Sequence, residues 1–286
     1  MPKTSGFRLI WAFQPLVLHS KIEDLLSPLE HDVLPVGFLS ESECRRRRLF
    51  GLAIHAITAS GAVAGLLALQ AVIDGHVRAA LLWLIVCQVL DGIDGPIARK
   101  IDVVTHAPHI DGHILDLVVD FVACVVVPVA FMYRMHLVPE GWGIWIAALI
   151  IFTSALWFAR TDQETSDNWF NGFPAAWNIV VPSFLILETS RGLAVGISIF
   201  LCAIQLTSVK FPHVMRVRAM RPITLTISII YLAALTYLSA TYPNGPRWAY
   251  LVLLIAPIYF AVIVVWRTWF ATRRWFGLTP IGSPAG

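Results

Sequence analysis

Long apolar stretches dominate this sequence and limit the folds open to it. Eight of them are long enough, or nearly so, to cross a bilayer as a helix, which takes about 20 residues. They lie at roughly 50–73, 78–99, 111–133, 142–160, 173–189, 192–209, 221–240 and 248–269. Only 14% of the residues are charged, whereas a soluble domain carries about 25%. The sequence therefore predicts an all-α, polytopic membrane protein with about eight transmembrane helices.

The fifth and sixth stretches are the weakest of the eight. They are short, and Pro182 and Gly196 interrupt them. A count of six spans is the alternative.

The basic residues indicate how the spans are oriented. With eight spans and a cytoplasmic start, fourteen Lys and Arg residues lie at cytoplasmic ends and four at the opposite ends. The fourteen are Arg45, Arg46, Arg47, Arg48, Arg99, Lys100, Arg160, Lys210, Arg216, Arg218, Arg221, Arg267, Arg273 and Arg274, and the four are Arg78, Arg134, Arg191 and Arg247. Because cytoplasmic loops carry an excess of Lys and Arg, both chain ends are expected in the cytoplasm.

Three segments follow from this pattern. Residues 1–44 hold an apolar run that is too short to span and has no cleavage site after it, so we expect a cytoplasmic or interfacial extension rather than a signal peptide. Residues 45–270 form the predicted transmembrane domain. Residues 271–286 end in a Gly-, Pro- and Ser-rich stretch and are predicted to be a cytoplasmic tail.

Acidic residues concentrate in one place, at the second and third spans. Six of the eighteen acids lie within thirty residues, and all are aspartates: Asp91, Asp94, Asp102, Asp111, Asp116 and Asp120. Asp91 and Asp94 share a helix face at i,i+3 spacing, and Asp116 and Asp120 share one at i,i+4. We expect Asp102 to be solvated in the loop, and leave open whether Asp111 caps the third span.

These four in-span carboxylates require positive charge nearby. A charged residue at the centre of a spanning helix costs about 2.5–3.5 kcal/mol even on a lenient scale. Arg99 and Lys100 are too few to offset four acids. Oxygen ligands select hard divalent cations such as Mg²⁺, Mn²⁺ or Ca²⁺. A lone intramembrane Asp is often structural, but matched pairs on adjacent helices beside glycines and an arginine favour a metal site that handles phosphate.

The same segment resembles the signature of the CDP-alcohol phosphotransferase family, D-x2-D-G-x2-A-R, a spacer, then G-x3-D-x3-D. Every fixed position is filled, by Asp91, Asp94, Gly95, Ala98, Arg99, Gly112, Asp116 and Asp120. The twelve-residue spacer between Arg99 and Gly112 is longer than is common in the family. The spacer and the sequence DGIDGPIAR are similar to the branch that condenses CDP-diacylglycerol with free choline and releases CMP.

This resemblance implies a six-helix family core with extra helices, and specific roles for residues. Asp91, Asp94, Asp116 and Asp120 would bind Mn²⁺ or Mg²⁺, and Asp120 would also act as the general base. The CDP moiety would contact Gly95, Ala98, Arg99, Gly112 and, on the first span, Thr58. The stretch from Ala159 to Asn178 is also similar to a stretch found in one branch of the family. This similarity favours CDP-diacylglycerol over CDP-choline as the donor.

Choline would need a site of a different kind. A quaternary ammonium cannot donate a hydrogen bond, so aromatic faces and carboxylates bind it. The segment between spans four and five offers Asp162, Glu164, Trp169 and Phe170. The alternative is that these aromatic residues only anchor the chain at the membrane interface.

Two other functions stay open at this stage. The acceptor could be serine, inositol phosphate or glycerol phosphate, or the chain could be a cation- or proton-coupled transporter. The resemblance implies a bacterial inner-membrane enzyme with its active site facing the cytoplasm. We expect the bilayer as its surroundings and no nucleic-acid partner, and leave a homodimer open.

Overall fold

The structure is a computed structural model that describes residues 41–101, 107, 109–218 and 220–271. The chain divides into two compact units, Met1–Cys44 and Arg45–Gly286, and the second contains nearly all of the described residues. The predicted extension 1–44 and tail 271–286 lie almost wholly outside the described residues, as does Asp102. The proposed domain boundaries therefore stay predictions.

The described residues form eight helices, which confirms the predicted all-α membrane fold. They are α1 (Glu41–Ile73), α2 (Val77–Ile101), α3 (Gly112–Arg134), α4 (Gly143–Phe158), α5 (Trp177–Ile186), α6 (Arg191–Gln205), α7 (Arg221–Thr241) and α8 (Arg247–Val265). Two π-helical turns accompany them, Phe121–Val126 within α3 and Trp266–Phe270 directly after α8.

Helix length separates these elements into two groups. Helices α1, α2, α3, α7 and α8, the last with its π-helical turn, are long and apolar enough to cross a membrane. The other three have 16, 10 and 15 residues. At 1.5 Å per residue, α5 extends only about 15 Å, about half of a bilayer's hydrocarbon core. The stretch around Pro182, one of the two weakest predicted spans, thus forms the shortest of the eight described helices.

Small residues bring α1 close to α3. A Cβ on Gly61 would lie 2.8 Å from Val119 Cγ1, and one on Gly65 would lie 3.6 Å from Val122 Cγ1. A side chain at Gly61 would push the two helices apart, whereas the distance at Gly65 is that of an ordinary van der Waals contact. The close packing holds α1 against the half of α3 that carries Asp116 and Asp120.

The main apolar core contains buried residues from all eight helices, including those where α2, α3, α4 and α5 meet. Leu84, Phe131 and Trp177 are among its fully buried side chains. The Trp177 indole Nε1 donates a hydrogen bond to Ser154 Oγ at 3.1 Å, so its polar atom is satisfied inside the core. This packing fixes α5 beside α2, so that Asn178 on α5 lies within hydrogen-bond distance of Gln88 on α2.

A two-stranded antiparallel sheet, not predicted from the sequence, links the connections at one end of the helices. Strand β1 (Trp169–Asn171) pairs with β2 (Lys210–Pro212). The Arg160 guanidinium donates to Thr207 O at 3.0 Å, and Lys210 N donates to Thr268 Oγ1 at 3.0 Å. The ends of α4, α6 and α8 therefore meet at one face, and that face carries Arg160, Lys210, Arg216 and Arg267, which were predicted to be cytoplasmic.

Gly172, directly after β1, tests this packing. Its φ is +84°, and an added Cβ would lie 2.0 Å from the Gln205 carbonyl oxygen. We expect Gly172→Ala to destabilise the protein by at least about 2 kcal/mol, because strain and a backbone clash add. In detergent, its unfolding midpoint should fall by about 5 °C.

Gly196→Ala is the matched control. An added Cβ meets nothing within 4 Å at this helical position, so its midpoint should equal or exceed that of the wild type. Equal midpoints for the Gly172 and Gly196 variants would contradict the close approach at Gly172.

Candidate active site

Three carboxylates meet between α2 and α3. One oxygen each of Asp91, Asp116 and Asp120 lies within 4.8 Å of the other two, and all three residues are half-buried. The i,i+4 spacing places Asp116 and Asp120 on one face of α3, and α2 brings Asp91 opposite them. The convergence expected from the spacing is therefore present for three of the four predicted acids.

Asp94 lies one turn beyond Asp91 and is almost fully buried, with 5% of its surface exposed. It interacts electrostatically with Asp91, Asp116 and Asp120, but it is not one of the three that meet within 4.8 Å. Its part in metal binding stays a prediction.

The geometry of this aspartate cluster (Asp91, Asp116 and Asp120) suits a divalent cation. Hard cations bind oxygens at about 2.0–2.6 Å, so two oxygens on one ion lie at most about 4–5 Å apart. The observed limit of 4.8 Å agrees with this. Three like charges this close, and partly shielded from water, also repel one another unless a cation binds between them. The residues present therefore fit a metal centre.

The backbone of α3 changes where the cluster ends. Its first segment ends at Asp120, and the π-helical turn Phe121–Val126 begins at the next residue. Such turns occur often at functional sites, because they change the direction of side chains along a helix. At the other end, Asp111 Oδ1 accepts hydrogen bonds from the backbone nitrogens of His113 and Ile114. Asp111 thus caps α3 and is not part of the cluster.

A hydrogen-bond chain that the sequence did not reveal orients Asp91. Asn178 on α5 donates from Nδ2 to Gln88 Oε1 at 2.8 Å, and Gln88 Nε2 donates to Asp91 Oδ2 at 3.3 Å. The Asn178 bond fixes which way the Gln88 amide points, so its donor faces the carboxylate. The sequence offered one signal for this contact, because the polar residue Gln88 lies three positions before Asp91 on the same helix face.

The glycines predicted to contact the nucleotide lie beside the cluster. Arg99 folds back over Gly95, where an added Cβ would lie 3.3 Å from Arg99 Nη1. At Gly112 an added Cβ would lie 3.0 Å from His55 Cε1. His55 is buried on α1, and its Nε2 has no hydrogen-bond partner among the described residues.

The other two predicted nucleotide contacts lie on the facing surfaces of α1 and α2. Ala98 packs near the buried Ile54. Thr58 is also buried, and its hydroxyl donates to the Ile54 carbonyl at 3.4 Å. Roles in binding CDP stay predictions for all five residues.

The predicted choline-binding carboxylates are each paired with an arginine. Arg160 donates two hydrogen bonds to Asp162, at 2.8 and 2.9 Å, and this pairing lowers the pKa of the Asp162 carboxyl. Arg216 Nη1 lies 2.6 Å from Glu164 Oε2. Each carboxylate therefore already has a cationic partner in the structure.

The predicted aromatic residues also have partners. Trp169 is buried, and the guanidinium carbon of Arg267 lies 5.3 Å from the centre of its ring. Phe170 stacks on His213 with ring centres 5.1 Å apart. Burial, with the charges of Arg216 and Arg99, lowers the pKa of His213 to about 4, so its ring is neutral at pH 7. The four residues do not form an open cage here.

Comparison with known proteins shows the class to which this fold and site belong. The family model described as CDP-alcohol phosphatidyltransferase matches residues 53–275, which include the whole aspartate cluster. The chain therefore belongs to this family, as the signature indicated.

Similar proteins within the family carry a more specific name. A phosphatidylcholine synthase from Pseudomonas aeruginosa is 35% identical over 244 residues, covering 85% of this chain and 100% of that protein. A phosphatidylcholine synthase from Brucella melitensis is 32% identical over 72% of this chain and 75% of its own. A phosphatidylcholine synthase from Borreliella burgdorferi is 34% identical over 62% of this chain and 76% of its own.

Metal binding at the aspartate cluster can be measured without an assay of activity. A ligand at about 100 times its Kd stabilises a protein by about 2.7 kcal/mol, so saturating Mn²⁺ should raise the wild-type unfolding midpoint by about 5 °C. Asp91→Ala and Asp116→Ala should remove most of this shift, since each removes an oxygen ligand.

Asp74→Ala, on the exposed loop after α1, should keep the full Mn²⁺ shift. If Asp91→Ala and Asp116→Ala kept it as well, the ion would bind elsewhere.

Proposed function

We propose that the protein transfers the phosphatidyl group of CDP-diacylglycerol to choline, giving phosphatidylcholine and CMP. The observation that carries this proposal is the meeting of Asp91, Asp116 and Asp120 within 4.8 Å, at signature positions of a CDP-alcohol phosphatidyltransferase. The choice of choline rests on the similarity to phosphatidylcholine synthases, in one case over the whole length of the relative.

In this proposal the aspartate cluster, with Asp94 beside it, holds Mn²⁺ or Mg²⁺. The bound cation would neutralise charge on the donor's pyrophosphate and on the departing CMP. Arg99 would donate hydrogen bonds to a phosphate. Gly95, Ala98 and Gly112 would leave room for the nucleotide to approach the backbone, and Thr58 would line the same space from α1.

Asp120 would act as the general base. Its carboxylate accepts the proton of the choline hydroxyl, and the choline oxygen forms a bond to the phosphorus that carries diacylglycerol. The bond from this phosphorus to the oxygen of CMP breaks, and CMP leaves. Because Asp91 and Asp116 would also supply oxygen ligands to the cation, one oxygen of Asp120 would remain available to the acceptor hydroxyl.

The surroundings favour choline over a phosphate-bearing acceptor. The segment after α4 carries three carboxylates, those of Asp162, Glu164 and Asp167. An acceptor that brings a positive charge and no phosphate suits such a segment. The collection of the acids in one cluster also differs from a transporter relay, whose acids lie on repeated helices across the membrane.

The site would face the cytoplasm of a bacterium from its inner membrane. The face that carries Arg160, Lys210, Arg216 and Arg267 is the one expected inside, and Arg216 and Arg99 of that face interact electrostatically with Asp116. Choline and nucleotide would reach the cluster from that side.

Supplying different alcohols tests the acceptor. Purified protein with CDP-diacylglycerol and Mn²⁺ should convert radiolabelled choline to a lipid that co-migrates with phosphatidylcholine on chromatography. Serine, inositol phosphate and glycerol phosphate should give no labelled lipid. Labelled lipid from one of these, and none from choline, would contradict the proposal.

Replacing Asp120 tests the base. We expect Asp120→Asn to lower kcat by about 100-fold or more, since general bases contribute this much. Its amide oxygen can still bind the cation, so Mn²⁺-dependent binding of CDP should remain measurable by calorimetry. Near-normal turnover in this variant would remove Asp120 from the role.

A further inference from the structure

One of the three arginine–carboxylate pairs lies beside the aspartate cluster. Arg216 interacts electrostatically with Asp116 and with Arg99, and Glu164 also interacts with Arg99. The charged side chains of the other two pairs, Arg160–Asp162 and Arg267–Asp167, instead interact with Lys210. Of the acids near β1, Glu164 is therefore the one whose charge acts on Arg99, the residue proposed to bind a donor phosphate.

The carboxylate of Glu164 is only half satisfied. Its Oε2 lies 2.6 Å from Arg216 Nη1, while its Oε1 is buried and has no hydrogen-bond partner among the described residues. A buried oxygen that lacks a partner is unfavourable, more so when it is charged. The backbone of Glu164 pairs with that of Phe170, so an aromatic residue lies next to it. A ligand that brings positive charge would compensate the charge of this carboxylate electrostatically, even without a hydrogen bond.

Arg216, in turn, makes only a partial contact with Glu164. One of its nitrogens approaches the carboxylate, and its side chain is 38% exposed. An ion pair this open to water is weak. A phosphate offers a guanidinium two parallel hydrogen bonds and greater negative charge. The phosphates of a donor bound at the aspartate cluster would therefore compete well for Arg216.

We propose that binding of the donor exchanges the partner of Arg216. Its guanidinium leaves Glu164 for the pyrophosphate of the CDP-activated lipid, and the freed Glu164 carboxylate becomes the counter-ion of the acceptor's quaternary ammonium. This inference rests on the proposed function, since it takes choline as the acceptor. It names Glu164, rather than Asp162, as the residue that holds the positive charge.

The exchange makes acceptor binding depend on the donor. Before the donor binds, Arg216 already balances Glu164, and a second cation there would meet the arginine's charge. After the exchange, the same carboxylate has lost its ion pair with Arg216. Choline should thus bind tightly only to the protein that already holds the nucleotide, and by linkage choline should tighten nucleotide binding by the same factor.

Equilibrium dialysis of radiolabelled choline against the full chain in nanodiscs, with Mn²⁺ present, measures this coupling. CDP serves as the donor probe, because it carries both phosphates and no lipid to transfer. For the wild type, saturating CDP should lower the choline Kd by about tenfold, within the usual range of coupling between sites.

Two variants separate the parts of the exchange. Glu164→Gln should bind choline weakly with and without CDP, while it keeps its affinity for CDP. Arg216→Gln should bind choline without CDP as tightly as the wild type binds it with CDP, and should bind CDP more weakly. Asp167→Asn is the matched control, since it breaks the ion pair with Arg267 and should keep the wild-type coupling.

Three results would overturn the exchange: a wild-type choline Kd that CDP does not change, full coupling in Glu164→Gln, or equal loss of coupling in Asp167→Asn. If any of these appears in a protein that converts choline to lipid, the inference fails and the proposed function stands. If the wild type neither binds choline nor converts it, the proposed function itself is wrong.

Discussion

The repulsion among three carboxylates is the constraint on which the rest of the structure depends. Asp91, Asp116 and Asp120 place oxygens within 4.8 Å of one another in a half-buried position between two apolar helices. In a medium less polar than water, charges at this distance repel strongly. Gly61 allows α1 to pack against α3, and the Asn178–Gln88 chain holds Asp91 from the side of α5. These contacts keep the acids together, and a divalent cation would make the arrangement favourable.

A second layer of charge surrounds this centre at the end of the helices. The short sheet of β1 and β2 joins two connections, and pairs of arginine and carboxylate tie them to the ends of α4 and α8. The membrane helices thus supply the acids that suit a metal ion, while Arg99 near the end of α2 and Arg216 in a connection supply guanidinium groups that suit phosphate. The Glu164–Arg216 pair lies where the two layers meet, and in the proposed exchange it couples binding of the donor to binding of the acceptor.

The sequence predicted the parts of this structure that depend on local spacing. Apolar length located all eight helices, and the i,i+4 spacing placed Asp116 and Asp120 on one face. Strands of three residues leave no alternation long enough to detect, so β1 and β2 were missed. The bond between Asn178 and Gln88 joins residues ninety positions apart, which a single sequence does not reveal. The aromatic cage was suggested by residue types alone, and these types do not show that Arg267 already covers Trp169.

The position of a bound ion tests the account most directly. Crystals grown with Mn²⁺ and measured at an X-ray energy where manganese scatters anomalously would show the ion as a separate peak. The account predicts a peak within about 2.5 Å of carboxylate oxygens from Asp91, Asp116 and Asp120. A peak bound elsewhere, with these three side chains turned away from one another, would contradict it.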